Sequence, residues 1–271
     1  MIALLLAAAL AQAPALPPAP ARVSKLKWRP AVDLPVTAVL GAGWLVSEYA
    51  VKNQLAPARC RWCSGNSLDE SFRSLFQPKV DREGASVADD ASNVAFVSGA
   101  FITLGIQAVL AARDGALREF PIDALIVLEA VFAAQALNQT VKFLVARERP
   151  FVHQLAETEK PLTHAPPDNN LAFYSGHATF TMSLAVAAGT VTALRGYRQG
   201  FLVWAFAVPL SLTTGMLRIA ADKHSFSDVL VGWLVGAGIG FAIPWFFHGV
   251  EDPLAVRLVP GPGGIALAGR F

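Results

Sequence analysis

The feature that most constrains this chain is a series of apolar stretches, each close to the length that crosses a lipid bilayer. A helix needs about 20 apolar residues to span the hydrocarbon core. Only 15% of the residues are charged and 54% are hydrophobic, whereas an ordinary soluble domain has roughly 25% charged residues. The pattern predicts an all-α fold, a polytopic membrane protein with about six transmembrane helices. The predicted spans lie near residues 31–50, 91–112, 121–141, 177–194, 200–218 and 229–247.

The alternative interpretation is a large soluble helical protein whose apolar helices are buried. Asp33, Pro35 and Glu48 interrupt the first stretch, and Glu129 lies within the third. The last two stretches are apolar on every face, a pattern typical of membrane spans and of fully buried helices. Together with the low charge content, they favour the membrane interpretation.

Neither a flexible linker nor an internal repeat divides the 271 residues, so we expect one main domain over residues 31–250. Residues 1–30 form a separate N-terminal segment, first apolar and then basic. Its first part, MIALLLAAALAQA, ends like a cleavable signal peptide but has no basic residue at its front. Residues 251–271 are a C-terminal tail that alternates like an outer-membrane strand, although one strand cannot form a barrel.

Basic residues near the span ends predict how the protein is oriented. With six spans, one side of the membrane receives residues 22–30, which carry four positive charges, and two short basic turns. Because cytoplasmic loops are enriched in Lys and Arg, we expect this side to face the cytoplasm of a bacterium, with the spans in its plasma (inner) membrane. Cleavage of a signal peptide would reverse this orientation, unless one of the six stretches is not a span. The two turns contain Arg113 with Arg118 and Arg195 with Arg198.

The opposite side, which is then periplasmic, receives residues 51–90, 151–176 and 219–228. Cys60 and Cys63 lie there, in a C-x-x-C spacing with no second pair that would complete a zinc site. A disulfide or two free thiols are the remaining interpretations, and a disulfide would persist in an oxidising compartment. The net charge of +2 comes from scattered basic residues, a pattern that does not indicate nucleic-acid binding.

Three short stretches on this predicted periplasmic side carry charged and polar residues that could serve chemistry. The first is KFLVARERP, in which Lys142 and Arg149 are seven residues apart. Seven residues make two helical turns, so we expect both cations on one face at the end of the third span, with Pro150 ending the helix. Basic residues that snorkel to the membrane interface would give the same pattern.

The second stretch is YSGH, residues 174–177. Ser175 and Gly176 stand where a helix is predicted to begin, so their N–H groups and the helix dipole would favour an anion there. Glycine lets the anion approach the backbone closely, and His177 would lie beside it. The alternative is an N-cap serine followed by an interfacial histidine.

The third stretch is RIAADKHSFSD, residues 218–228. His224 and Asp228 are four residues apart and would share a face if the sixth helix begins near His224. The carboxylate could then accept the imidazole Nδ1–H and leave Nε2 as the nucleophilic nitrogen. Arg218 ends the preceding span. The alternative is a surface ion pair of little energetic value.

Together these stretches resemble the motifs of the type 2 phosphatidic acid phosphatase (PAP2) superfamily, which also contains bacterial acid phosphatases and vanadium haloperoxidases. The patterns of that family are K-x6-RP, PSGH and SR-x5-H-x3-D. The first is present in full, Tyr174 replaces the proline of the second, and Leu217 replaces the serine of the third. The resemblance covers residues 120–247, and the six-span layout is similar to the membrane branch of the family.

The resemblance implies a phosphatase that hydrolyses a lipid phosphate or diphosphate through a phosphohistidine intermediate, without a metal or other cofactor. It implies that His224 is the nucleophile, that Asp228 orients it and that His177 is the general acid and base. The implied phosphate-binding residues are Lys142, Arg149, Ser175, Gly176 and Arg218. Two alternatives are a catalytically silent protein of the same fold and a vanadate-dependent haloperoxidase. The expected partners are the lipid substrate and the surrounding membrane lipids.

Overall fold

The structure is a computed structural model of the 271-residue chain. It describes residues 23–76, 82–251, 257–261 and 264–268. The possible signal peptide within residues 1–13 lies outside the described residues, as does part of the C-terminal tail.

The described residues contain nine α-helices and one β-hairpin. The helices are α1 (Pro30–Leu45), α2 (Lys52–Leu55), α3 (Ser67–Phe76), α4 (Arg82–Arg113), α5 (Phe120–Val145), α6 (Pro150–His153), α7 (Gly176–Arg195), α8 (Phe201–Ala220) and α9 (Phe226–Ala242). Two π-helical turns, Val46–Ala50 and Ile243–Phe247, extend α1 and α9. Shorter 3₁₀ turns lie at Leu117–Glu119, Lys160–Leu162 and Pro166–Asp168. The hairpin pairs β1 (Arg257–Gly261) with β2 (Gly264–Ala268), and Arg257 lies opposite Ala268.

Six helical segments in the described part of the chain are long and apolar enough to cross a membrane. Large apolar side chains on their outer faces are exposed, as lipid-facing residues would be; Phe101 is 76% exposed and Leu234 is 64% exposed. The prediction of an all-α polytopic membrane protein is therefore confirmed. The segments are Pro30–Ala50, Ala85–Arg113, Leu117–Val145, Gly176–Arg195, Phe201–Ala220 and Phe226–Phe247.

Helix α7 lies at the centre of the bundle. It packs against α9, α8, α5 and α4, whereas α1 packs against α5. Its small buried residues, such as Ala187 and Ala188, contact Ile126, Val127 and other apolar residues in the main core cluster. Since α7 begins at Gly176 and its neighbours α5, α8 and α9 begin or end beside it, the three predicted motifs are brought to one end of the bundle.

A row of glycines on α9 lets this helix approach α7 closely. A Cβ atom at Gly232 would lie 2.8 Å from the Ser175 carbonyl oxygen, and one at Gly236 would lie 2.6 Å from the Thr179 carbonyl oxygen. Gly240, one turn further along, meets the Ser183 backbone in the same way, at 2.7 Å. Small residues spaced by four are the usual means of close helix packing in membranes.

The other end of the bundle joins the N-terminal segment to the end of the last span. Leu26 pairs with Val250 in an antiparallel bridge, and the Ser24 amide donates to the Arg195 carbonyl at 3.0 Å. Arg195 is buried against Asp123, to which its Nε donates at 2.7 Å. Arg198 pairs with Asp114, so the basic turn used to predict the orientation carries acidic partners.

Candidate active site

The predicted site residues converge at the end of the bundle that is remote from Leu26 and Val250. A cavity of about 430 Å³ lies there, and its walls include Lys142, Arg149, Gly176, His177, Arg218 and His224. Ser175 and Asp228 are fully buried, and the Ser175 amide donates to the Asp228 carbonyl at 3.0 Å. The fold thus brings Lys142 and Asp228, which are 86 positions apart in the sequence, into one site.

Lys142 and Arg149 reach the cavity from different elements. Helix α5 ends at Val145, and Ala146 adopts a left-handed conformation (φ 51°), so the predicted continuous helix through Arg149 is wrong. Arg149 is extended and precedes Pro150, which begins the short helix α6. The turn at Ala146 still aims both cations at the cavity, and the Arg149 Nε donates to the Asp168 carbonyl at 2.8 Å.

Ser175 and Gly176 stand at the start of α7, where the sequence predicts an anion site. Ser175 is the N-cap, and its hydroxyl accepts from the Ala178 amide at 3.4 Å. A Cβ atom at Gly176 would lie 3.2 Å from the Lys142 Nζ and 3.2 Å from the Asn138 Oδ1, so glycine keeps Lys142 beside the helix terminus. A phosphoryl group in the cavity would therefore meet both N–H dipoles and a cation.

His177 is held by two residues of α4. Its Nε2 lies 2.8 Å from the Asn93 Oδ1, and because that oxygen only accepts, Nε2 carries the proton in this arrangement. The Phe96 ring packs against the imidazole with centroids 4.8 Å apart. The sequence motifs contained no indication of either contact, since α4 lies outside the family resemblance.

His224 lies in the turn before α9 rather than within it. The helix begins at Phe226 with Ser225 as its N-cap. His224 is 2% exposed, and its Nδ1 is 3.6 Å from the Asp228 Oδ2, beyond hydrogen-bond distance. Nδ1 has no hydrogen-bond partner among the described residues. Catalytic hydrogen bonds are often long in free enzymes and shorten when substrate binds.

The electrostatic surroundings of His224 favour its neutral form. Burial lowers the pKa of its imidazole well below the ordinary value of 6.5, and the positive charges of Arg149 and Arg218 lower it further. A neutral imidazole has a free lone pair. The cations that line the cavity therefore favour an imidazole with a free lone pair, which is the form that nucleophilic attack would require.

Asp228 is fixed by two donors that do not involve histidine. Its Oδ2 accepts from the Ser225 amide at 2.9 Å and so completes a capping box at the start of α9. Its Oδ1 accepts from the Arg147 Nη1 at 2.6 Å. The carboxylate beside His224 is thus held in one orientation by the backbone and by a buried arginine.

Arg147 joins this carboxylate to a second one from a distant part of the chain. Its Nη2 donates to the Asp69 Oδ2 at 2.7 Å, and Asp69 also accepts from the Ser227 amide at 2.8 Å. The guanidinium lies over the Trp62 ring, 4.1 Å from its centroid. Trp62 stands between Cys60 and Cys63, which form a disulfide in the structure.

Acidic residues in the cavity partly neutralise its cations. Arg218 donates through Nη1 to Asp89 and to the Ser92 hydroxyl, the latter at 3.0 Å. Asp168 lies 3.0 Å from the Lys52 Nζ. Burial alone would raise the pKa of Asp168, but the charges of Arg149 and Lys52 outweigh it and hold the pKa below its ordinary value. Sequence reasoning missed both acids, because neither lies within a recognised motif.

The part of the sequence that contains this site is similar to a known protein family. Residues 123–251 match the model of the PAP2 superfamily. Phospholipid phosphatase 2 from Bos taurus is 37% identical over 81 residues, which cover 26% of this chain and 26% of that protein. Phospholipid phosphatase 2 from Homo sapiens is 30% identical over 131 residues, which cover 38% of this chain and 43% of that protein. The chain therefore spans less than half the length of these relatives.

The structure is also similar to the crystal structure of the transmembrane PAP2 type phosphatidylglycerolphosphate phosphatase from Bacillus subtilis. The TM-score is 0.49 and the sequence identity 18%, over 81% of this chain and 96% of that chain. The segment matched by the family model contains all three motifs, from Lys142 to Asp228. The segment of residues 123–251, just under half of the chain, thus matches the PAP2 superfamily.

Proposed function

We propose that this protein is a membrane phosphatase that hydrolyses a phosphate monoester or diphosphate carried by a lipid. The observation that carries the proposal is the cavity in which the buried His224 stands among Lys142, Arg149 and Arg218. Three cations and a helix N-terminus suit the charge that a transferring phosphoryl group develops. The match of residues 123–251 to the PAP2 superfamily supports the same chemistry.

In the proposed reaction, the Nε2 of His224 attacks phosphorus and the bond from phosphorus to the ester oxygen breaks. A His177 imidazolium, which the negative charge of the bound phosphate favours, gives its Nε2 proton to the departing oxygen and becomes neutral. The departing group leaves as the lipid alcohol, or as the lipid monophosphate when the substrate is a diphosphate. Water then attacks the phosphohistidine, His177 takes its proton, and the phosphorus–nitrogen bond breaks to release inorganic phosphate. Asp228 would stabilise the positive charge on His224 during both steps.

The walls of the cavity support a lipid as the carrier of the phosphate. Trp44, Tyr49, Phe96 and Val97 line it alongside the charged residues. Tyr49 is 79% exposed and Val97 is 55% exposed, on the segment Pro30–Ala50 and on α4. Since α1 packs against α5 while α4 packs against α8 and α7, an apolar chain could pass between them from the bilayer while its head group reaches His224.

The test is release of inorganic phosphate from a panel of lipid phosphates by the purified protein in detergent micelles. We expect His224→Ala to lose turnover, because it removes the nucleophile. Asp228→Asn should retain a reduced rate, because the amide keeps the position but not the charge. Release of phosphate by His224→Ala at a rate near that of the wild type would overturn the mechanism.

Inhibitors distinguish this mechanism from a metal-dependent one that uses the same histidines. Vanadate, which adopts the geometry of the phosphoryl transition state, should inhibit, whereas a chelator present during the assay should leave turnover in place. Loss of turnover with EDTA, restored by a divalent metal, would favour a metal site formed by His177, His224 and Asp228.

A further inference from the structure

A second group of titratable residues lies in the half of the bundle that is away from the cavity. Asp33 from the first turn of α1, Glu129 from the middle of α5 and His248 after the last span are each at most 6% exposed. One ligand atom from each lies within 4.8 Å of the other two. Glu129 is 13 residues before Lys142 on α5, which places it about 20 Å from that residue along the helix axis.

The two carboxylates of this group have no basic side chain to neutralise them. Among the described residues, the Asp33 Oδ2 accepts from the Arg29 amide at 2.6 Å, and the Glu129 Oε2 accepts from the Thr37 hydroxyl at 3.3 Å. Neither forms an ion pair with a lysine or arginine among the described residues, and the ionisable side chain beside Glu129 is His248. Ionised groups within a membrane span are costly unless they are paired, and they usually mark a functional site.

His248 directs an unsatisfied nitrogen at these carboxylates. Its Nδ1 is 3.1 Å from the Lys27 carbonyl oxygen, which only accepts, so Nδ1 carries a proton. Its Nε2 is buried without a hydrogen-bond partner among the described residues and lies 3.5 Å from the Glu129 Oε2. In the neutral imidazole, a lone pair would therefore face a carboxylate oxygen, an arrangement that requires a positive species between them.

The arrangement has the features of a metal site. A histidine ligand commonly donates its other ring N–H to a backbone carbonyl, as His248 does to Lys27. Two ligands at the usual zinc distances in a tetrahedral site lie about 3.3 Å apart, close to the 3.5 Å between the His248 Nε2 and the Glu129 Oε2. One imidazole with two carboxylates and a water is a suitable set for zinc or a similar divalent transition ion.

We propose that Asp33, Glu129 and His248 bind one divalent transition-metal ion, zinc being the best match, which clamps the first, third and last spans together. The ion would neutralise the two buried carboxylates and join the N-terminal segment to the end of α9 at a point where the backbone already pairs Leu26 with Val250. This site is separate from the phosphate-binding cavity. Its test does not depend on turnover.

The experiment measures zinc bound to the full-length protein in detergent after stripping with a chelator and re-addition of Zn²⁺. We expect one equivalent per chain and a rise of several degrees in the temperature of thermal unfolding. Glu129→Gln and His248→Gln should each weaken zinc binding by at least tenfold. His153→Gln, which removes a half-exposed histidine at the other end of the bundle, and His224→Ala should both keep the bound zinc.

A cobalt spectrum keeps the proposal testable if Glu129→Gln does not fold. Co²⁺ bound to His248→Cys should show a thiolate-to-cobalt charge-transfer band that the wild type lacks, because the new thiolate would be a direct ligand. Absence of stoichiometric zinc from the wild type, as expected if a proton alone joins His248 to Glu129, would overturn the proposal. Equal zinc binding by the wild type, Glu129→Gln and His248→Gln would overturn it as well.

Discussion

At the scale of single residues, His224 depends on groups that come from several parts of the chain. Burial lowers its pKa, and the charges of Arg149 and Arg218 lower it further. Asp228 lies beside its Nδ1, and Arg147 holds Asp228. If His224 is the nucleophile, as proposed, the cations would act both on it and on the phosphate. Asp228 and Arg147 would act on His224 alone, so substitutions in the two sets should change different kinetic constants.

The low pKa of His224 has a consequence for the pH dependence of kcat/KM. The proposed nucleophile must be neutral, so on the acid side kcat/KM should fall as the pH drops through the lowered pKa of His224, below 6.5. The phosphate group of a substrate also titrates, near a pKa of about 6. Two substrates with different phosphate pKa values separate these effects. If the fall in kcat/KM is due to His224, it should occur at the same pH for both substrates. A shared acid limb at or above pH 6.5 would contradict the assignment.

Arg147 is expected to be a positioning residue, because it touches Asp228 but does not line the cavity. Arg147→Lys keeps the charge but loses the fork that spans Asp228 and Asp69. We expect kcat to fall about tenfold or more, equivalent to ~1.4 kcal/mol per factor of ten, with little change in KM. The control is Arg61→Lys, in an exposed arginine that donates to the Leu144 carbonyl. A rise in KM with unchanged kcat would instead indicate direct contact with substrate.

The motif residues could be predicted from the sequence because their spacing is local, whereas their supporting partners could not. Lys142 and Arg149, or His224 and Asp228, are separated by a few residues, and each pair reaches the same site. Asp89 meets Arg218 across 129 positions, and Asp69 meets Arg147 across 78. Such contacts are set by how helices pack, which hydropathy and motif spacing do not specify.

At the scale of helices, the spans were predicted well in their apolar middles and poorly at their ends. The second span begins at Ala85 instead of near residue 91, because its first turns carry Asp89 and Asn93, which face the cavity rather than lipid. The helix of the third span, α5, ends at Val145, earlier than the K-x6-RP spacing indicated. In both places, polar residues of the site interrupt the apolar pattern by which a span is recognised, so the sequence does not predict where the helix begins or ends.

The glycine row on α9 gives a prediction about helix packing. Gly236→Ala would place a Cβ atom 2.6 Å from the Thr179 carbonyl oxygen, whereas Gly238→Ala would meet no atom within 4 Å. We expect the first to lower the free energy of unfolding by about 1–3 kcal/mol and to reduce turnover, since α7 and α9 carry both histidine motifs. The second should be neutral or stabilise by up to ~1 kcal/mol through helix propensity.

Thermal unfolding in detergent, together with phosphate release, compares the two glycine variants. Equal unfolding temperatures for Gly236→Ala and Gly238→Ala would show that the spacing between α7 and α9 is not set by this contact. Loss of activity with unchanged stability would mean that the packing positions the site without limiting the fold.

At the scale of the whole molecule, the two ends of the bundle have different chemistry. One end has the cavity and the Cys60–Cys63 disulfide, which favours an oxidising compartment. The other end has residues 23–29, the turns after α4 and α7, and the end of the last span. Arg195 and Arg198 are paired with acidic residues, so they are weaker evidence for a cytoplasmic turn than the sequence alone indicated. The predicted orientation therefore depends mainly on the basic residues within 25–29 and on the disulfide.

We propose that the cavity faces the periplasm, and single cysteines test this in a Cys60→Ser, Cys63→Ser background. Leu162→Cys is suited to the cavity end, because Leu162 is 81% exposed in the loop that precedes α7. Gln199→Cys, at an exposed position between α7 and α8, is the matched control for the other end. In intact spheroplasts, a membrane-impermeant maleimide should label Leu162→Cys at once and Gln199→Cys only after the membrane is broken. The reverse pattern would place His224 on the cytoplasmic side, where its substrate would have to come from the inner leaflet.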